Sequence, residues 1–183
     1  MVPSMIYVAL LRGINVGGNR KVEMAALRET FSRAGCKDVS TYINSGNVLF
    51  SDDREPELLI PILETAIAEE FGFEVPVLLR NIEEIRSVVA SVPEEWVHDS
   101  VERTDVWFLW DDFDTPAVVD GLSPRTGVDE VRYVAGAVVW RATGRLTSSR
   151  RGNVAGTPLY KSITIRNINT VRRIHASMEE RVG

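Results

Sequence analysis

Cysteine is almost missing from this 183-residue chain, and Cys36 is the only one. A single thiol makes no internal bridge, so a disulfide framework is excluded and a reducing cytoplasm is the expected location. Histidine is nearly as scarce. His98 and His175 stand far apart, with no carboxylate or cysteine at ligand spacing, so no metal site is expected. No apolar run approaches the roughly 18 residues of a membrane span, and the first residues lack a secretory layout, so no membrane partner is expected. An excess of positive charge is missing too. A net charge of −5 and a pI near 5.2 argue against a general nucleic-acid binder, which carries a basic face. No internal repeat stands out by eye, and no low-complexity tract.

What is there suits one compact domain or two small ones closely packed, with 44% hydrophobic and 26% charged residues. A chain of this length buries roughly 70% of its unfolded surface and folds without metal or disulfide support.

The run from Met5 to Leu11 is apolar on both alternating sets, the pattern of a strand covered on both faces. After it comes Arg12-Gly13-Ile14-Asn15-Val16-Gly17-Gly18-Asn19-Arg20-Lys21, a basic loop rich in glycine and asparagine. Met24, Leu27, Phe31 and Ala34 then recur at helical spacing, predicting a helix from about Val22 that Gly35 ends. Strands follow at 39–43 and 48–50 across the tight turn Asn44-Ser45-Gly46-Asn47. A second helix runs to Gly72, with Asp52 or Asp53 as its cap and Pro61 implying a kink or a late start. A fourth strand covers 75–79.

The order is strand, helix, strand, strand, helix, strand, the ferredoxin-like βαββαβ arrangement of an α+β fold. In that topology the first and third strands are central antiparallel neighbours. The basic loop therefore lies beside the Asn44–Asn47 turn.

The second half, 81–183, is expected to begin with a helix that Asn81 and Glu84 cap. It continues with a strand at 105–110, a short helix at 115–122, a hairpin across Ala135-Gly136, and a last helix from Ile168 that Asn167 caps. This half is either a degenerate copy of the first, 1–80, or a cover for its sheet. Either way the two are expected to pack as one cooperative unit.

Glycines let backbone N–H groups approach a phosphate, and a strand leading into a helix start adds a positive dipole end. The spacing matches neither the nucleotide-hydrolase loop nor the dinucleotide fingerprint. The candidate ligand-binding residues are Arg12, Asn15, Gly17, Gly18, Asn44, Ser45 and Asn47. Lys161, Arg166 and Asn167 are the candidates from the second half, where Arg145, Arg150, Arg151, Arg172 and Arg173 also make the chain locally basic. Ser45 has no base near it in sequence, so no nucleophile is assigned. Trp107 and Trp110 fall on opposite faces of their strand, leaving at most one for the core.

Three of these stretches resemble the bacterial family labelled domain of unknown function 1697. They are Ala9-Leu10-Leu11-Arg12-Gly13-Ile14-Asn15-Val16-Gly17-Gly18, Thr41-Tyr42-Ile43-Asn44-Ser45-Gly46-Asn47-Val48 and Thr164-Ile165-Arg166-Asn167-Ile168-Asn169-Thr170-Val171. Ile168 stands where that family often has tryptophan, and 147–159 departs from the family's Ser-Lys-bearing helix start. The resemblance implies an α+β fold of ferredoxin-like halves and supplies no reaction and no cofactor.

The expected function is binding, with or without catalysis, of a phosphate-bearing or carboxylated small molecule at residues 12–21. The alternative is a non-enzymatic interaction module for RNA, with bases stacked on Tyr7 and Phe50. The acidic charge and the doubly covered sheet disfavour it.

Overall fold

The computed structural model describes residues 4–144, 154 and 157–182. The basic positions Arg145, Arg150 and Arg151 lie outside them. The chain forms two compact units, Met1–Ile82 with Ala176–Gly183, and Glu83–His175.

In the first unit β1 (Met5–Leu11), β2 (Lys37–Tyr42), β3 (Asn47–Asp52) and β4 (Val77–Asn81) form an antiparallel sheet in the order β2-β3-β1-β4. That is the strand order of the split βαβ arrangement. Helices α1 (Met24–Arg33) and α2 (Pro56–Phe71) cover one face. Leu27 and Phe31 from α1, with Leu59, Leu63 and Ile67 from α2, meet Tyr7, Ala9, Leu11, Val48 and Phe50 there. Ile6, Val8 and Leu10, on the opposite face of β1, are buried as well. Tyr7 and Phe50, the residues considered for base stacking, are 3% and 0% exposed inside this core. Their rings pack on each other, and that of Phe50 packs on Phe31 as well, which removes both from any nucleic-acid surface.

Two boundaries differ from expectation for local reasons. Val22 is held out of α1 because its N–H and C=O both bond to the side chain of Asn15. Asp52 does not cap α2. It takes three bonds from Arg54, and α2 starts on Pro56, whose fixed φ and missing N–H suit a first helical position. Pro61 lies within α2, and Gly72 closes it with φ 78°.

The second unit contains most of α3 (Ile82–Ala90), then β5 (Glu102–Leu109), two 3-10 turns (Asp111–Phe113 and Pro116–Gly121), β6 (Asp129–Val134), β7 (Ala137–Thr143), α4 (Pro158–Lys161) and β8 (Ile163–Asn167). Helix α5 (Ile168–Glu179) begins in this unit and its end belongs to the first. The sheet order is β6-β7-β5-β8, strand for strand that of the first sheet. Strand β8 is absent from the sequence-based expectation. Its five residues alternate Ile163 and Ile165 with Thr164 and Arg166, and so read as a polar approach to the helix.

The register shows a shared plan that the residues hide. Leu11 N–H donates to Gly46 O at 2.9 Å, and Leu109 N–H donates to Gly136 O at 2.9 Å. Arg12 N–H reaches Pro76 O at 3.1 Å, and Trp110 N–H reaches Ser162 O at 3.0 Å. Val8 faces Arg80 across β1 and β4, as Val106 faces Arg166 across β5 and β8. Arg-Asn-Ile ends both outer strands, at 80–82 and at 166–168. The two sheets share one strand order and one register.

Candidate functional site

The end of β1 is clamped on both sides, by Gly46 O on Leu11 N–H and by Pro76 O on Arg12 N–H. Beyond it the chain must turn sharply. Gly13, Asn15, Gly17, Gly18 and Arg20 all take positive φ, between 51° and 79°. Asn15 N–H donates to Arg20 O at 3.1 Å and Asn19 N–H to Val16 O at 3.2 Å, making a small hairpin with Gly17-Gly18 at its tip. A side chain at either tip glycine would meet nothing within 4 Å, so these glycines serve backbone conformation and leave the tip open.

Asn15 fixes this hairpin to the rest of the edge. Its Nδ2 donates to Val22 O and to Asn44 O, both at 2.9 Å, and its Oδ1 accepts from Val22 N–H at 2.8 Å. The loop and the 44–47 turn therefore lie side by side. Gly46 serves the same contact sterically, because a Cβ there would sit 2.7 Å from Ile14 Cδ1 and 2.8 Å from Leu11 Cβ. Asn47 is fully buried and donates through Nδ2 to Tyr42 O and Ser45 Oγ, both at 3.0 Å. Asn15 and Asn47 thus both tie the edge together through their side-chain amides. Asn44 is exposed, Ser45 half-buried, and Gly17, Gly18 and Lys21 exposed. Arg20 donates to Glu74 O at 3.3 Å and lies over the Phe73 ring.

One expected contributor is weaker than the sequence implies. The loop does not open directly into α1, because Val22 and Glu23 intervene. Glu23 stands at the helix cap and makes no side-chain bond to the helix end.

The candidates from the second half have other surroundings. Lys161 ends α4 and is exposed. Arg166 is buried in β8 and donates through Nη1 to Thr164 Oγ1 and Ile165 O, at 3.0 and 2.9 Å. Burial lowers its guanidinium to about 10. Asn167 Oδ1 accepts Thr170 N–H at 2.8 Å, the cap expected of it.

Sequence reasoning missed a network in 93–103, which looks like a polar connection. Trp96 is 2% exposed, with the guanidinium carbons of Arg132 and Arg141 at 4.4 and 5.1 Å from its ring centre. Arg141 grips Glu102 through two nitrogens at 2.9 and 2.8 Å, holding that carboxyl below the usual range despite its burial. Arg172 donates to Trp96 O and Pro93 O at 2.8 and 2.9 Å, so it is not part of a solvated face. His98 Nδ1 lies 3.2 Å from Asp105 Oδ1. A tryptophan inside a polar stretch was the one signal available.

Fold and edge together define a class, an α+β protein with two sheets of one topology and a clamped, basic, glycine-tipped loop at the end of its first strand. A family model described as protein of unknown function (DUF1697) matches residues 5–140, and the chain belongs to that family. It is similar to the solved structure of the conserved bacterial protein SP0830 from Streptococcus pneumoniae. The TM-score is 0.81 and the identity 29%, over 96% of this chain and 99% of that one. No curated protein matches the chain. Among the described residues no helix is long and apolar enough to cross a membrane.

Proposed function

We propose that the chain is a cytoplasmic protein that binds a small anion, phosphate-bearing or carboxylated, on the edge formed by residues 12–21 and 44–47. The observation that carries this reading is the three-bond clamp of Asn15 onto Val22 and Asn44. It holds the hairpin in place before any ligand arrives, so the ordering cost of binding is already met. Arg12, Arg20 and Lys21 concentrate positive charge here in a protein of net charge −5.

In this reading Arg12, Lys21 and the backbone around Gly17 and Gly18 hold the anion. Asn44 and Ser45 orient it, and Asn15 and Asn47 position the edge. Charge-assisted hydrogen bonds are worth about 1.5–3 kcal/mol each, against about 0.3–1 kcal/mol for a helix end, so the cations carry most of the binding. No reaction is part of the proposal.

The test is thermal stabilisation by a panel of phosphate, pyrophosphate and citrate, repeated on Arg12→Ala. The expected result is a saturable rise in melting temperature that the variant loses while its own fold stays intact. A panel that stabilises nothing, or stabilises both proteins equally, would overturn the reading.

A further inference from the structure

The second sheet follows the plan of the first with far less helix over it. The shared register places Trp107 where the first unit has Ala9, and Trp140 where it has Phe50. Above Ala9 and Phe50 lie α1 and α2, of 10 and 16 residues. Among the described residues, the same face of the second sheet is covered by 3-10 turns of 3 and 6 residues and by α4, of 4 residues. The two indoles fill part of the difference, stacked with ring centres 5.0 Å apart and planes 14° from parallel.

They do not fill all of it. Between the 3-10 turns and α4 lies a cavity of about 380 Å³, walled by Phe113, Val118, Leu122, Val154 and Leu159. That volume falls in the range of small-molecule sites, and the walls are apolar as such sites require. Asp112 also lines the cavity and is exposed to solvent. The segment 104–124, which supplies Asp112 and most of these walls, carries charge of one sign. From Thr104 to Pro124 the chain carries Asp105, Asp111, Asp112, Asp114 and Asp120, with no lysine or arginine. Asp114 is occupied by Tyr133 Oη–H and Gly136 N–H, at 2.9 and 2.8 Å, and Asp105 by His98, which leaves Asp112 as the carboxylate nearest an occupant.

We infer that this cavity binds a small molecule with an aromatic-sized apolar body and a protonated amine turned toward Asp112. It is a second site, independent of the anion edge. The probes are 1-naphthylmethylamine and 1-naphthaleneacetate, which share a body and differ in the sign of their charge, titrated calorimetrically into the full chain. Gly121 lines the cavity, has ordinary φ, and a Cβ there meets nothing within 4 Å, so Gly121→Phe adds bulk without backbone strain.

The expected result is one amine bound per chain, about fivefold tighter than the acid at low salt, a margin that Asp112→Asn and high salt both erase. Gly121→Phe, with Ala117→Trp as a second filling variant, should weaken the amine by more than about tenfold. Equal binding of the two probes, no saturable binding of the amine, or amine binding unchanged in both filling variants would overturn the inference. Arg12→Ala should leave amine binding untouched, which separates this test from that of the anion edge.

Discussion

The side-chain amide of Asn15 donates to the main-chain oxygen of Asn44 at 2.9 Å, across 29 residues of sequence. The same nitrogen holds Val22 O, and the oxygen of that amide holds Val22 N–H. One side chain thus decides where the loop sits, where α1 can start, and which turn lies next to it. Asn15 also occupies positive φ, 53°, which asparagine tolerates better than most residues.

Asn15→Ala should therefore destabilise the fold by about 2 kcal/mol, through backbone groups left without the partner they had. Asn15→Gly keeps the φ and loses the bonds, so it should recover only the backbone part. Urea unfolding of the three proteins measures both contributions. A change within a few tenths of a kcal/mol for Asn15→Ala would mean that the clamp is replaced by water at no loss.

Gly46 and Gly17 both take positive φ, yet they should respond differently to substitution. At Gly46 a methyl group meets Ile14 and Leu11 at 2.7 and 2.8 Å, against strand-end backbone held by Leu11 N–H to Gly46 O. Strain and overpacking add, and Gly46→Ala should cost about 3 kcal/mol. At Gly17 the space is open, so Gly17→Ala should cost about 1 kcal/mol, from φ alone. Paired melting curves decide it. Equal losses would place the purpose of both glycines in backbone conformation.

These positions also show what the residues reveal and what they hide. The alternation of Met5 to Leu11, the periodicity of Leu27 and Phe31, and the turn at 44–47 are local signals. Split βαβ connectivity converts them into the adjacency of loop and turn. That Asn15 clamps the loop to the turn was not legible, because its partner Asn44 is remote in sequence. The candidate Arg166 looked accessible for a related reason. A strand of five residues that alternates isoleucine with threonine and arginine carries too little apolar pattern to be seen. The shared plan was hidden because it lies in register and backbone bonds, while the second sheet carries shorter helices and Trp107 stands where the first has Ala9.

Arg181, near the end of the chain, donates to Asp38 O and Ser40 Oγ, both at 2.6 Å. Both acceptors belong to β2, an edge strand whose register to β3 shifts between Lys37 and Ser40 and whose Asp38 takes φ 52°. Hydrogen bonds to a charged donor are worth about 1.5–3 kcal/mol each, less where solvent competes, so Arg181→Ala should lose about 2 kcal/mol in all. Amide exchange should accelerate first in 37–42. Uniform acceleration across the first sheet would show that the contact supports global stability rather than the edge.

Acid should act on the first unit through Asp52. Burial alone would raise this carboxyl, but the bonds from Arg54, at 2.6 to 2.9 Å, outweigh it and the net shift is downward. A carboxyl held lower in the folded state than in the unfolded one stabilises fully above the ordinary carboxylate range. That stability is lost as pH falls through the folded value. Asp52→Asn should thus be clearly less stable than the parent at pH 7, with a gap that narrows steadily below about pH 4. Cys36 reports on the same place. Burial, then the charge of Asp52, push its thiol up to about 12, so in the folded protein it stays protonated and enclosed. At pH 8 alkylation by iodoacetamide should proceed only as fast as the unit opens, and should quicken in Asp52→Asn as opening becomes easier. A gap between the two proteins that does not change with pH, or alkylation at the rate of a free thiol, would show that Arg54 does not hold Asp52 ionised beside Cys36.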